Sequence, residues 1–156
     1  MTKTVGYLSL LYPFLLLQIV RSTEILPCEH VSGRLPTEVH IKGCDRLPCI
    51  FPRGSNISAE VVFKAPFAAT HLIPILNVQL AQVWMTFDAG ETNGCESLVG
   101  PQCPLEEGVT YTYVRHIPIQ DRYPKIRIKI EHELVDWMRR SVFCYRINAL
   151  VSDKLT

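Results

Sequence analysis

The chain has 156 residues, of which 47% are hydrophobic and 20% charged, and its formal net charge is +1. A near-neutral chain without a run of basic residues has no electrostatic footprint for nucleic acid.

The first predicted element lies outside the fold. Lys3 precedes an almost uncharged apolar run at residues 7–20, and Val20 and Ser22 occupy the minus-three and minus-one positions before Thr23. The run is shorter than the roughly 20 apolar residues of a spanning helix and contains Pro13, so residues 1–22 are expected to be a secretory signal peptide. Residues 23–156 then form the mature domain, about 134 residues long and sufficient for one hydrophobic core. Cleavage moves the formal charge to about −1. The expected localisation is secreted or extracellular, or the endosomal–lysosomal lumen.

Past that point, Gly and Pro punctuate short stretches with a period of two. Residues 38–43 place Val39 and Ile41 on one side. Residues 56–63 align Ile57, Ala59, Val61 and Phe63, and Asn56-Ile57-Ser58 is an N-glycosylation sequon. The stretch at residues 71–82 is ambiguous, although Pro74 argues against a helix. Residues 83–87 align Val83, Met85 and Phe87. Residues 109–119 are β-rich but hold Pro118, which predicts a bulge or an edge position.

Residues 125–134, "KIRIKIEHEL", alternate almost strictly. Ile126, Ile128, Ile130, His132 and Leu134 share the face expected to be buried, while Glu131 and Glu133 are expected to point to solvent. Residues 141–151 align Phe143, Tyr145, Ile147, Ala149 and Val151. Many short strands at regular spacing predict an all-β protein, an antiparallel β-sandwich.

Six cysteines follow the signal segment: Cys28, Cys44, Cys49, Cys95, Cys103 and Cys144. An even count in a secreted chain predicts three disulfides, with 15 arithmetically possible pairings. Closeness suggests Cys44–Cys49 and Cys95–Cys103, which leaves Cys28–Cys144. No CxxC pair supports a metal site, so no metal and no cofactor are expected.

Catalytic signatures are missing: there is no GxSxG, HExxH, Walker loop or GxGxxG. The five histidines are scattered, and Glu131-His132-Glu133 divides its carboxylates and imidazole between two faces of a strand. Catalysis is not expected.

The residues "LPTEVHIKGCDRLPCIFPRGSNISAEVVF", "NGCESLVGPQCPLEEGVTYTYVRHIPIQDRYPKIRIKIEHEL" and "VFCYRINALV" together resemble the ML (lipid-recognition) domain family, in particular its Niemann–Pick type C2-like secreted sterol carriers of the arthropod type. The specific parts are Pro48-Cys49 with Gly54, Cys103-Pro104-Leu105, Tyr111 with Tyr113, Ile117-Pro118-Ile119, Tyr123-Pro124 and Phe143-Cys144-Tyr145. The resemblance implies an immunoglobulin-like sandwich with an apolar ligand cavity between its sheets, and the same three disulfides. Carried over by position, the ligand-binding set is Ile57 and Ala59, then Met85 and Phe87, then Pro118, Ile119 and Tyr123. It is completed by Ile128 and His132 and by Tyr145 and Ile147. The implied partner is a sterol or other apolar lipid, with transient contact to a membrane or membrane protein for hand-off, and the protein is expected to be a monomer.

His132 and Tyr145 stand where the sterol carriers of this family place tryptophans, which implies a roomier pocket and argues against strict cholesterol specificity. Two readings of His132 stand: a core group bonded to Tyr145 or a backbone carbonyl, or a group touching ligand. On the second reading, protonation between pH 7 and pH 5 is expected to weaken binding of a neutral lipid. Two other readings of the function remain open. One is a carrier of fatty acids or semiochemicals. The other is an immune binder of microbial glycolipid such as lipopolysaccharide, with Arg115, Arg122, Arg139 and Arg140 as a basic rim.

Overall fold

A computed structural model describes residues 22–88 and 90–154; residues 1–21 of the expected signal peptide at 1–22 lie outside the described residues. Among the described residues nine strands form two facing sheets. They are β1 (Glu38–Ile41), β2 (Cys49–Pro52), β3 (Ser55–Lys64), β4 (Leu72–Leu80), β5 (Val83–Phe87), β6 (Leu98–Val99), β7 (Thr110–Ile119), β8 (Arg127–Asp136) and β9 (Ser141–Ser152). One sheet has the order β1-β3-β7-β6 and the other β2-β9-β8-β4-β5. Every pairing is antiparallel except β2 with β9, which run parallel. Among the described residues no helix is long and apolar enough to cross a membrane.

The ambiguous stretch at 71–82 is strand β4. Its Pro74 precedes Leu76, where pairing with β5 begins, so the ring faces no ladder partner on that side. Pro118 is placed in the same way: β7 has β6 beside it only at Thr112 and Tyr113, and Pro118 has β3 alone as neighbour. The predicted edge position holds for Pro118, and Pro74 lies in a strand rather than a helix.

All three disulfides pair as expected: Cys28–Cys144, Cys44–Cys49 and Cys95–Cys103. The first of them reshapes one prediction. Glu131 and Glu133 do leave the core-facing side of β8, yet they are only 0% and 7% exposed. The segment before β1 covers them. It is hydrogen-bonded to β9 at Leu26 and again at Arg34, and between those points Cys28–His30 crosses the outer face of the sheet. The Glu29 and His30 amides donate to Glu131 Oε1. The His30 ring then stacks on Trp84 of β5 at 5.1 Å. Period two assigns a side chain to a face; a strap across that face removes the water. The strap runs so close to β9 that a Cβ on Gly33 would lie 2.5 Å from Cys144 Cβ, and only glycine fits there.

Between the sheets the two ends differ. At one end Phe63, Tyr113, Phe143, Leu72 and Leu134 are all at most 1% exposed. Their rings interlock, with Phe63 and Phe143 centred 5.2 Å apart. Towards the other end the facing side chains separate and leave a cavity.

Candidate functional site

The cavity has a volume of about 240 Å³ and is lined only by apolar and aromatic residues. Its walls come from both sheets. Alternation on β4 sends Leu76, Val78 and Leu80 inward, and β8 contributes Ile128 and Ile130 by the same rule. Opposite them, β7 contributes Ile117, Pro118 and Ile119. The loop between β7 and β8 adds Tyr123, whose ring meets Phe87 edge-on at 5.8 Å. Met85 and Phe87 lie on β5, which has no strand on its outer side, so the wall there is an edge strand.

Six residues expected to bind ligand line this cavity: Met85, Phe87, Pro118, Ile119, Tyr123 and Ile128. The other five do not. Ile57, Ala59, His132, Tyr145 and Ile147 are buried in the packed core. Several wall residues went unnamed in the sequence reading, among them Leu76, Val78 and Leu80. Their signal was the alternation of "LIPILNVQL" itself, hidden by its mixture of proline and continuous apolar residues.

Behind the apolar inner wall of the cavity lies a buried polar group. His132 pairs across β8–β4 with Leu76, which in turn pairs with Phe87, so the imidazole belongs to the same inward row as two wall residues. Its Nδ1 lies 3.1 Å from the Tyr145 hydroxyl. That contact supports the reading of His132 as a core group bonded to Tyr145. Arg115 reaches the same place from the other sheet. It is two residues before Ile117 on one face of β7, pairs with the small Ala59, and is 3% exposed.

Arg115 therefore belongs to no basic rim. Arg139 and Arg140 are also excluded from one, because they sit in the β8–β9 turn, at the far end of β8 from Ile128. Arg140 is tied there to Asp136 at 2.7 Å and lies over the Phe67 ring. Only Arg122 adjoins a wall residue, Tyr123.

Burial pushes the His132 pKa down to about 3, and the positive charge of Arg115 pushes in the same direction. The imidazole is thus neutral throughout pH 7 to 5, and the expected weakening of lipid binding by its protonation does not follow. Stability responds instead. In the unfolded chain the group titrates near 6.5 and in the folded chain near 3, so between those values only the unfolded state takes up the proton. Stability is complete above pH 6.5 and falls as pH decreases. The expected loss is about 2 kcal/mol between pH 7 and pH 5. Glu133, whose pKa burial raises, works in the opposite sense, so the wild type must be compared with His132→Phe. Denaturant unfolding at the two pH values should show the variant losing about 2 kcal/mol less; equal losses would mean that His132 is protonated in the fold.

Among the described residues, one cluster has metal-like donors: Cys28, Glu131 and Cys144. Both sulfurs are committed to a disulfide, so no thiolate is on offer. Asn56 of the sequon is exposed on β3.

Comparison with known proteins matches residues 22–151 to the ML domain family. "NPC intracellular cholesterol transporter 2" of Bos taurus is 31% identical over 110 residues, covering 70% of this chain and 72% of that protein. Its Danio rerio counterpart is 29% identical over 136 residues, covering 87% and 89%. Homolog a of Drosophila melanogaster is 28% identical over 130 residues, covering 82% and 86%. The crystal structure of a Niemann-Pick type C2 protein from Japanese carpenter ant superposes with a TM-score of 0.74 at 19% identity, over 83% of this chain and 99% of that one. The shared sandwich, the three disulfides and the family match over residues 22–151 place this protein in the ML domain family, among its Niemann–Pick type C2-like members.

Proposed function

We propose that the protein is a secreted, non-catalytic lipid carrier that holds a sterol or related lipid between its two β-sheets. The observation that carries this reading is a cavity walled entirely by apolar side chains inside an otherwise close-packed sandwich. Its relatives' names, as cholesterol transporters, support the sterol class. The mechanism is desolvation: apolar ligand surface leaves water for the cavity, at roughly 25 cal/mol per Å². The cavity volume of about 240 Å³ lies just under the usual range of roughly 300–1,000 Å³ for small-molecule sites. A tetracyclic ligand then widens the cavity, and the unsupported edge strand β5 is the wall free to move. Function as a monomer in extracellular or endosomal–lysosomal fluid, with brief membrane contact for hand-off and a glycan on Asn56, completes the reading.

Solvent extraction of the purified secreted protein, followed by mass spectrometry, should recover a stoichiometric lipid. Phe87→Ala sharpens the test, because Phe87 is only partly buried and its ring forms wall rather than core. The expected result is roughly a tenfold loss of fluorescent-sterol affinity with about 1 kcal/mol or less of lost stability. Unchanged affinity would remove this cavity from the binding reaction.

A further inference from the structure

The polar group behind the inner wall of the cavity holds more hydrogen-bond donors than the protein uses. Arg115 is 3% exposed, and among the described residues its Nε and Nη1 have no hydrogen-bond partner; neither has His132 Nε2. Buried polar groups are almost always satisfied, so three in one spot require a reason. The nearby carboxylate does not satisfy them. Glu91 Oε2 accepts from the Tyr113 hydroxyl at 2.6 Å, and Oε1 accepts from Ser97 Oγ. It lies 3.5 Å from Arg115 Nε, an ion pair without a hydrogen bond. The guanidinium charge is therefore balanced while its donors are not.

The position of the group decides what those donors meet. Arg115 precedes the wall residue Ile117 on one face of β7, and His132 follows the wall residue Ile130 on one face of β8. Beyond them lies the filled aromatic core of Phe63, Tyr113 and Phe143. The group lies one inward position beyond the apolar lining on both strands, so a ligand that widens the cavity inward meets it next. When Tyr145 donates to His132 Nδ1, the imidazole carries its proton on Nε2 and adds a donor to those of Arg115.

Building on the carrier reading, we infer that the cavity selects lipids bearing an uncharged oxygen acceptor, a carbonyl or hydroxyl, at the end that enters first, with Arg115 as the residue that reads it. Charge balance favours the neutral acceptor. A carboxylate would leave a net negative charge buried with Arg115 and Glu91, whereas a carbonyl takes up the free donors without adding charge. A plain hydrocarbon end would leave those donors unsatisfied.

The test is displacement of a fluorescent apolar dye by three ligands of one chain length: pentadecan-2-one, pentadecane and pentadecanoate. In the wild type the ketone should bind roughly 10- to 100-fold tighter than the alkane, the weight of one or two charge-assisted hydrogen bonds. It should also bind more tightly than the carboxylate. The double variant Arg115→Met with Glu91→Gln removes both charges together and should bind ketone and alkane within about threefold of each other, because no donor then singles out the carbonyl. Equal binding of ketone and alkane by the wild type, a preference for the carboxylate, or a preference for the ketone that survives in the variant would overturn the inference. If the variant does not fold, the wild type still decides. The infrared carbonyl band of bound, carbon-13-labelled ketone should lie at or below its position in water, and a band at the hydrocarbon-solvent position contradicts the inference. Failure of all three ligands and of sterol to displace the dye would instead count against the carrier reading itself.

Discussion

Replacing Cys28 and Cys144 together by alanine is expected to lower the stability of the fold by about 5 kcal/mol. The bridge closes a sequence separation of 116 residues, and the loop entropy removed from the unfolded chain grows with that length. Native-state losses add to this. The same bridge holds the strap over Glu131, whose carboxylate accepts the Glu29 and His30 amides, and keeps His30 stacked on Trp84. Two further ties remain in the variant, from Glu29 to Lys129 at 2.8 Å and to Arg146 at 2.9 Å. Glu29 is half exposed in both pairs, so solvent screening limits what they contribute. The thermal midpoint should fall by roughly 15 °C or more, with a change in Trp84 fluorescence as the strap lifts. The cavity lies on the inner face of this sheet, so protein that remains folded at low temperature should still bind lipid one to one. A midpoint shift of only a few degrees would show that the strap is held by its hydrogen bonds rather than by the bridge.

Phe143→Ala should cost about 3–5 kcal/mol and leave the affinity of the folded fraction nearly unchanged. Phe143 is 0% exposed and touches rings on both sheets: Phe63 at 5.2 Å, His132 at 5.6 Å and Tyr113 at 6.1 Å. Truncation leaves a void between rigid neighbours that cannot collapse into it. Phe87→Ala, towards the open end of the sandwich, should show the reverse pattern of small stability loss and large affinity loss. Urea unfolding and sterol titration on the two variants measure both quantities. Similar profiles for the pair would mean that the sandwich is uniformly filled or uniformly soft, and that its two ends are not specialised.

Alternation, cysteine spacing and the positions of Gly and Pro were enough to indicate a two-sheet sandwich, six of its nine strands and all three bridges; the short β2 and β6 were too brief to show a period, and β4 was left ambiguous. These are local properties. A strand with one apolar parity needs a facing apolar surface, whatever the rest of the chain does. Alternation also held more than was read from it. Tyr111, Tyr113, Arg115, Ile117 and Ile119 share one parity on β7, so an inward arginine was legible there. Counting Arg115 among surface cations gave its charge priority over its parity. The core aromatics Phe63 and Phe143 were legible for the same reason that Arg115 could have been.

Three matters were decided by tertiary structure alone. Whether an outward face meets water depends on what crosses it, and the strap at Cys28–His30 carries no period of its own to announce that it buries Glu131. Whether an inward face is filled depends on the separation of two sheets, which neither strand encodes separately; Ile57 and Ile147 pack as core while Ile117 and Ile130 line a cavity, although all four are isoleucines on inward parities. Finally, the polar group behind the cavity comes from residues 17 positions apart in sequence, Arg115 and His132 on opposite sheets, whose donors become conspicuous only when the space around each is shared. Period and spacing fix which side of a strand a residue takes; the distance between layers, a property of the whole fold, decides what that residue then meets.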